Sequence, residues 1–163
     1  MAHWVVFLIV FFANFLIAGD LFVDQFYALQ DRLIIKYEQP VDVQQSVTIG
    51  INSYNDTIES VDYTFALYDL SYRRYIENTT TGVFYSFGFR AGKTKVSDGV
   101  SLENEILTMP YYDIGIKSKL SHKWSHILKL EAGYVMLFTD NVNVNPILGL
   151  HFVPYFSFGY NLD

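Results

Sequence analysis

The chain has no cysteine. That excludes a disulfide scaffold, a Cys-ligated zinc or iron–sulfur centre and a thiol nucleophile. Charge is also scarce. Only 17% of the 163 residues are charged, and 11 Lys plus Arg against 17 Asp plus Glu leave a formal net charge of −6. A nucleic-acid binder would be expected to carry a basic face for phosphates, which argues against such a partner. No phosphate-cradling glycine loop, paired-carboxylate site or nucleotide fingerprint is present, and no cofactor or metal site is expected. What the chain has in excess is apolar and aromatic residue: 51% hydrophobic and 18% aromatic, with 14 Phe, 13 Tyr and 2 Trp. This much buriable surface excludes disorder, and the length suits one domain.

The first nineteen residues lack charged side chains altogether. From Trp4 to Ala18 the chain is apolar except for Asn14, and the small pair Ala18-Gly19 precedes Asp20. An apolar core of this length followed by small residues reads as a secretory signal peptide, although its start offers only the α-amino group and His3 as positive charge. It is short for a spanning helix, which needs about 20 residues; an uncleaved anchor is the alternative. The expected division is a signal peptide over 1–19 and a single domain over 20–163.

Beyond the leader the periodicity is two, not 3.6. Val83, Tyr85, Phe87 and Phe89 share one face while Ser86, Gly88 and Arg90 share the other. Leu128, Leu130, Ala132, Tyr134, Met136 and Phe138 oppose Lys129, Glu131 and Gly133. Tyr112, Ile114 and Ile116 oppose Asp113, Gly115, Lys117 and Lys119, and Phe152, Pro154, Phe156, Phe158 and Tyr160 oppose Tyr155, Ser157 and Gly159. A helix would scatter each set around its axis, so these segments are strands.

The breakers alternate short and long: 39–42, 77–82 and 121–126 against 54–62, 93–108 and 139–146. Bacterial outer-membrane barrels combine tight periplasmic turns with longer outer loops. With a weak first strand granted, strands are expected near 20–28, 32–39, 43–53, 63–76, 83–93, 110–120, 127–138 and 147–162. The predicted fold is therefore all-β, an eight-stranded antiparallel up-and-down transmembrane barrel.

Alternation alone does not say which face is out. A soluble barrel of the lipocalin kind would turn its apolar face inward. An eight-stranded interior is only wide enough to be filled by side chains, so small residues such as Gly50, Gly88, Gly115, Gly133 and Gly159 fit it better than stacked aromatics. A Lys or Arg facing lipid at mid-membrane costs about 2–4 kcal/mol. Ten charged positions, Lys36, Glu38, Asp69, Arg73, Arg90, Asp113, Lys117, Lys119, Lys129 and Glu131, are therefore expected inside, as an ion-pair network filling the lumen. Aromatics at strand ends (Tyr54, Tyr63, Tyr111, Tyr112, Trp124, Phe138, Tyr160) are expected to form interfacial girdles.

These residues resemble a known group. Tyr72-Arg-Arg-Tyr-Ile76 and Gly82-Val-Phe-Tyr-Ser-Phe-Gly-Phe-Arg90 are similar to a hairpin of small bacterial OmpA/OmpW-like outer-membrane barrels, which include a group known only as a domain of unknown function. Asn145-Pro-Ile-Leu-Gly149 and the alternation from Tyr155 to Leu162 resemble that group's last strand. The group usually ends in an aromatic residue, whereas this chain ends Tyr160-Asn-Leu-Asp163. The resemblance implies an eight-stranded barrel of the bacterial outer membrane, surrounded by its lipid, inserted by the barrel-assembly machinery, and with no assigned reaction.

Some barrels of this size are enzymes acting on lipid A, so Ser–His pairs matter. The candidates are Ser121-His122, Ser125-His126 and His151. The lipid A deacylases carry a His-x-Ser arrangement on a strand, and here His151 is followed by Phe152-Val153. Turn or interfacial histidines are the expected reading, and no catalytic residue is assigned. His122 and His126 have metal spacing only on a helix. The sequons Asn55-Asp-Thr57 and Asn78-Thr-Thr80 are expected to serve as turn residues. The expected function is thus an integral outer-membrane barrel with a structural, adhesive or interaction role in its outer loops. The rivals are a lipid-modifying enzyme and a soluble ligand-binding barrel.

Overall fold

The computed structural model describes residues 19–24, 32–58, 61–77, 79–97, 102–138 and 149–162. The leader expected over 1–18 lies outside them. Eight strands follow in order: β1 (Asp20–Asp24), β2 (Leu33–Asp42), β3 (Gln45–Ile58), β4 (Val61–Tyr75), β5 (Gly82–Ser97), β6 (Leu102–Lys119), β7 (Trp124–Phe138) and β8 (Gly149–Asn161). Each is antiparallel to the next, and β8 returns to β1, where Leu21 faces Tyr160 and Val23 faces Phe158. The sheet is a closed barrel in which every strand is hydrogen-bonded to a neighbour on both sides.

Burial in the structure decides which face of the period-two pattern is out. Leu70, Phe87, Phe89, Ile114, Leu128, Leu130, Phe152 and Tyr68 are all exposed on the outer surface, while Lys36, Glu38, Arg73, Lys117 and Glu131 are buried within. A water-soluble protein hides the first group and solvates the second. This barrel does the reverse.

Several boundaries differ from the sequence-based expectation. The connections expected over 54–62 and 93–108 are mostly strand: Tyr54 pairs with Phe65 and Thr57 with Asp62, while Thr94 pairs with Glu105 and Val96 with Glu103. A transmembrane strand needs about 9–11 residues, whereas β5 has 16 and β6 has 18. Outside the apolar stretch these hairpins turn polar, with Ser53, Asn55, Asp62, Thr64, Lys93 and Lys95 exposed. The sequon residues Asn55 and Thr57 accordingly sit in β3 and not in a turn; Asn78 lies outside the described residues. At the opposite end the turns are tighter than expected, since β2 and β3 are joined through Val43-Gln44 and β7 already begins at Trp124. Of the weak first strand, β1 supplies 20–24, and 25–28 lie outside the described residues.

Three expected girdle rings point inward instead. Tyr63, Tyr54 and Tyr111 belong to, or pack against, an inner cluster with Phe65, Leu67, Leu107, Met109 and Val135. Tyr112, Trp124 and Tyr160 do face outward, and Trp124 meets Tyr160 edge-on with ring centroids 5.0 Å apart. The side chain of Phe138 lies outside the described residues.

Inward rings fit so narrow a lumen because inward glycines make room for them. A β-carbon at Gly88 would overlap the Tyr111 ring, one at Gly159 the Phe22 ring, and one at Gly133 the Met109 side chain. Tyr111 has little freedom to move away, because its hydroxyl donates to Asp69 Oδ1 at 2.7 Å. Overpacking of this kind costs about 1–3 kcal/mol. Gly88→Ala is therefore expected to lower the unfolding free energy by about that amount, measurable as a shifted urea midpoint of the refolded barrel; an unchanged midpoint would mean that the ring gives way freely.

Candidate functional site

The lumen has three layers, built from residues that one parity of each strand turns inward. Nearest the short turns is a cluster centred on Glu38. Its Oε2 meets Arg73 Nη1 at 2.8 Å and Lys117 Nζ at 3.0 Å, while Oε1 accepts from Ser46 Oγ at 2.5 Å and Tyr75 OH at 2.7 Å. Lys117 also reaches Asp20 Oδ2 at 2.5 Å, so β6 is tied across the interior to β1 and β2. The Arg73 guanidinium lies over the Phe84 ring at 4.1 Å.

The middle layer joins Asp69, Asp113 and Glu131 to Lys36, Arg90 and Lys129. Asp69 Oδ2 takes Lys36 at 2.8 Å and Arg90 Nε at 2.6 Å. Arg90 then grips both oxygens of Glu131 at 2.5 Å each, a fork-on-fork contact that fixes two directions at once. Lys129 bridges Glu131 at 3.0 Å and Asp113, and Ser86 donates to Asp113. Rings lie along the cations: Arg90 is 4.3 Å from the Tyr111 centroid and Lys129 is 4.7 Å from that of Tyr155.

Nine of the ten charges expected inside are in these two layers. Lys119 is not. It has the right parity but lies at the last residue of β6, where its side chain is exposed and takes no part in the network. Asp20 was missed and replaces it, so among the described residues five cations meet five carboxylates. Asp24, also buried, accepts from Ser157 Oγ at 3.2 Å.

The third layer, toward the long hairpins, was not anticipated. It is a cavity of about 150 Å³ walled by Ile34, Phe65, Leu67, Leu107, Met109 and Val135, with Arg90 at its inner end. Asn52 also faces it, 3% exposed, and neither the oxygen nor the nitrogen of its carboxamide has a hydrogen-bond partner among the described residues. Leaving such a group unsatisfied costs about 1–3 kcal/mol. Arg32 and His151 border the same space. His151 is therefore a lumen residue, not the interfacial or turn histidine expected.

The Ser–His candidates do not assemble. Ser125 is buried inside, whereas the adjacent His126 points out and packs on Phe156 at 6.0 Å between ring centroids. Ser121 Oγ accepts from the backbone N–H of Lys123 and Trp124, and His122 is exposed in the same turn. Among the described residues there is no group of acidic and histidine side chains that could hold a metal ion.

With the geometry in place, comparison with known proteins adds little. No family model and no curated protein matches the sequence. Among solved structures the chain is similar to the crystal structure of Acinetobacter baumannii CarO2, at 12% identity and a TM-score of 0.47, over 88% of this chain and 96% of that one.

Proposed function

We propose that this chain is an integral barrel of the bacterial outer membrane, exported by the leader over 1–19 and closed to ions by its lumen network. Its structural, adhesive or interaction role is then exercised by the polar hairpins β3–β4 and β5–β6. One observation carries the reading: the apolar face is outside and the paired charges are inside. Lipid is the solvent in which that arrangement is favourable, because a closed barrel leaves no backbone group unsatisfied there. The exposed Trp124–Tyr160 pair at the short-turn end suits the membrane–water interface. Outer-membrane lipid against the apolar belt and the barrel-assembly machinery are the partners this reading requires.

The lumen network supports a closed pore. A hydrated ion passing the middle layer would have to displace Arg90 from both Asp69 and Glu131. In planar bilayers the purified chain is expected to give no stable conductance, and large steady currents would contradict a shut lumen. On a cold detergent gel the folded chain should migrate differently from the boiled one. Recovery of the protein in the soluble fraction without detergent would overturn the membrane assignment.

A further inference from the structure

We propose that the cavity at the long-hairpin end of the lumen is a binding site for a small, neutral molecule of single-ring size. That molecule would present one hydrogen-bond donor and one acceptor, as a carboxamide does, to Asn52. Four properties of the site define this class. At about 150 Å³ the cavity matches an engineered apolar cavity that takes up benzene. The walls from Ile34, Phe65, Leu67, Leu107, Met109 and Val135 are apolar, which favours an apolar body.

The head group is specified by Asn52. Its side chain is almost wholly buried, faces the cavity, and has both its donor and its acceptor unspent among the described residues. A leucine of similar volume would serve the fold better there, since an apolar group leaves nothing unsatisfied. An amide that costs stability and points into a cavity is what a ligand-binding wall needs, because most such walls are apolar with a few placed polar groups. Neutrality follows because neither arginine at the cavity is a free cation: Arg32 is engaged over the Tyr54 ring, 4.9 Å from its centroid, and Arg90 is paired. This cation at the inner end of the cavity is already neutralised by Asp69 and Glu131, so an anion would lose its hydration there without gaining a free partner. The site lies inside the lumen and does not rest on the membrane reading.

Benzamide is the probe, titrated into the folded full-length chain in detergent micelles, with empty micelles as the partition control. The expected result is saturable binding that shifts the side-chain amide resonance of Asn52. Asn52→Leu should weaken benzamide at least tenfold, leave toluene binding intact, and hold or raise the urea midpoint. Leu107→Trp, which fills the cavity, should abolish both ligands while the cold-gel migration of the folded barrel is retained. Absence of saturable benzamide binding by wild-type chain that migrates as folded would overturn the proposal, as would binding that survives both substitutions. Benzoate bound as tightly as benzamide would overturn the neutral class.

Discussion

Arg90→Met is expected to cost the folded barrel about 3–5 kcal/mol, the range for removing one partner of a buried ion pair. The loss is large because two carboxylates depend on this one guanidinium. Asp69 would keep Lys36 and the Tyr111 hydroxyl, and Glu131 would keep Lys129, but the middle layer would hold one negative charge too many. Methionine supplies the volume without the charge, so the deficit is electrostatic and not a cavity effect. The double variant Arg90→Met, Glu131→Leu restores charge balance and should lose less than the sum of the two single variants, since contacting residues are not additive. Urea unfolding in lipid vesicles, followed by tryptophan fluorescence, measures all three. Strict additivity would show that Arg90 and Glu131 do not work as a pair.

Leu130→Arg should be the most damaging change on the outer surface. Leu130 lies on β7 between Ile114 of β6 and Pro154 of β8 and is exposed. If lipid surrounds it, a charge near the bilayer midplane costs about 2–4 kcal/mol. Thr64→Arg is the comparison, because Thr64 points outward on the polar part of the β3–β4 hairpin, where a substitution stays within about 0.5 kcal/mol. Unfolding from vesicles should separate the two variants clearly. Equal, small effects would place Leu130 in water and remove the membrane reading.

The strands and their sidedness were legible because six of them alternate within the apolar stretch, and ten charges on one face leave few placements. Depth was not legible. Parity puts Lys117 and Lys119 on the same face, but only position along β6 separates the buried lysine from the exposed one. Asp20 was missed because β1, with five residues, is too short to show a pattern.

The cavity left a signal that was available and not used. Tyr63, Phe65 and Leu67 share the parity of Asp69 and Arg73, and Leu107, Met109 and Tyr111 share that of Asp113 and Lys117. Apolar residues in the register of the inner charges mark where the lumen changes character. The same inversion disguised the hairpin ends as loops: where a strand runs past the apolar belt its outward positions turn polar, and the apolar set moves to the other parity. Asn52, without a partner among the described residues, had no sequence signal, since such an amide is defined only by what three-dimensional packing withholds.

The inner ties also constrain how the chain acquires its shape. Lys117 reaches Asp20 and Glu38, and Arg90 reaches Asp69 as well as Glu131, so the two halves of the chain are tied together and Lys117 meets its carboxylates only in the first. A partly wound sheet would expose these groups together with free strand edges, both costly in lipid. Loop-closure entropy must be met before such distant contacts reward it. On the membrane reading, the closing of β8 on β1 is therefore the step at which stability arrives, and insertion should be slow and all-or-none.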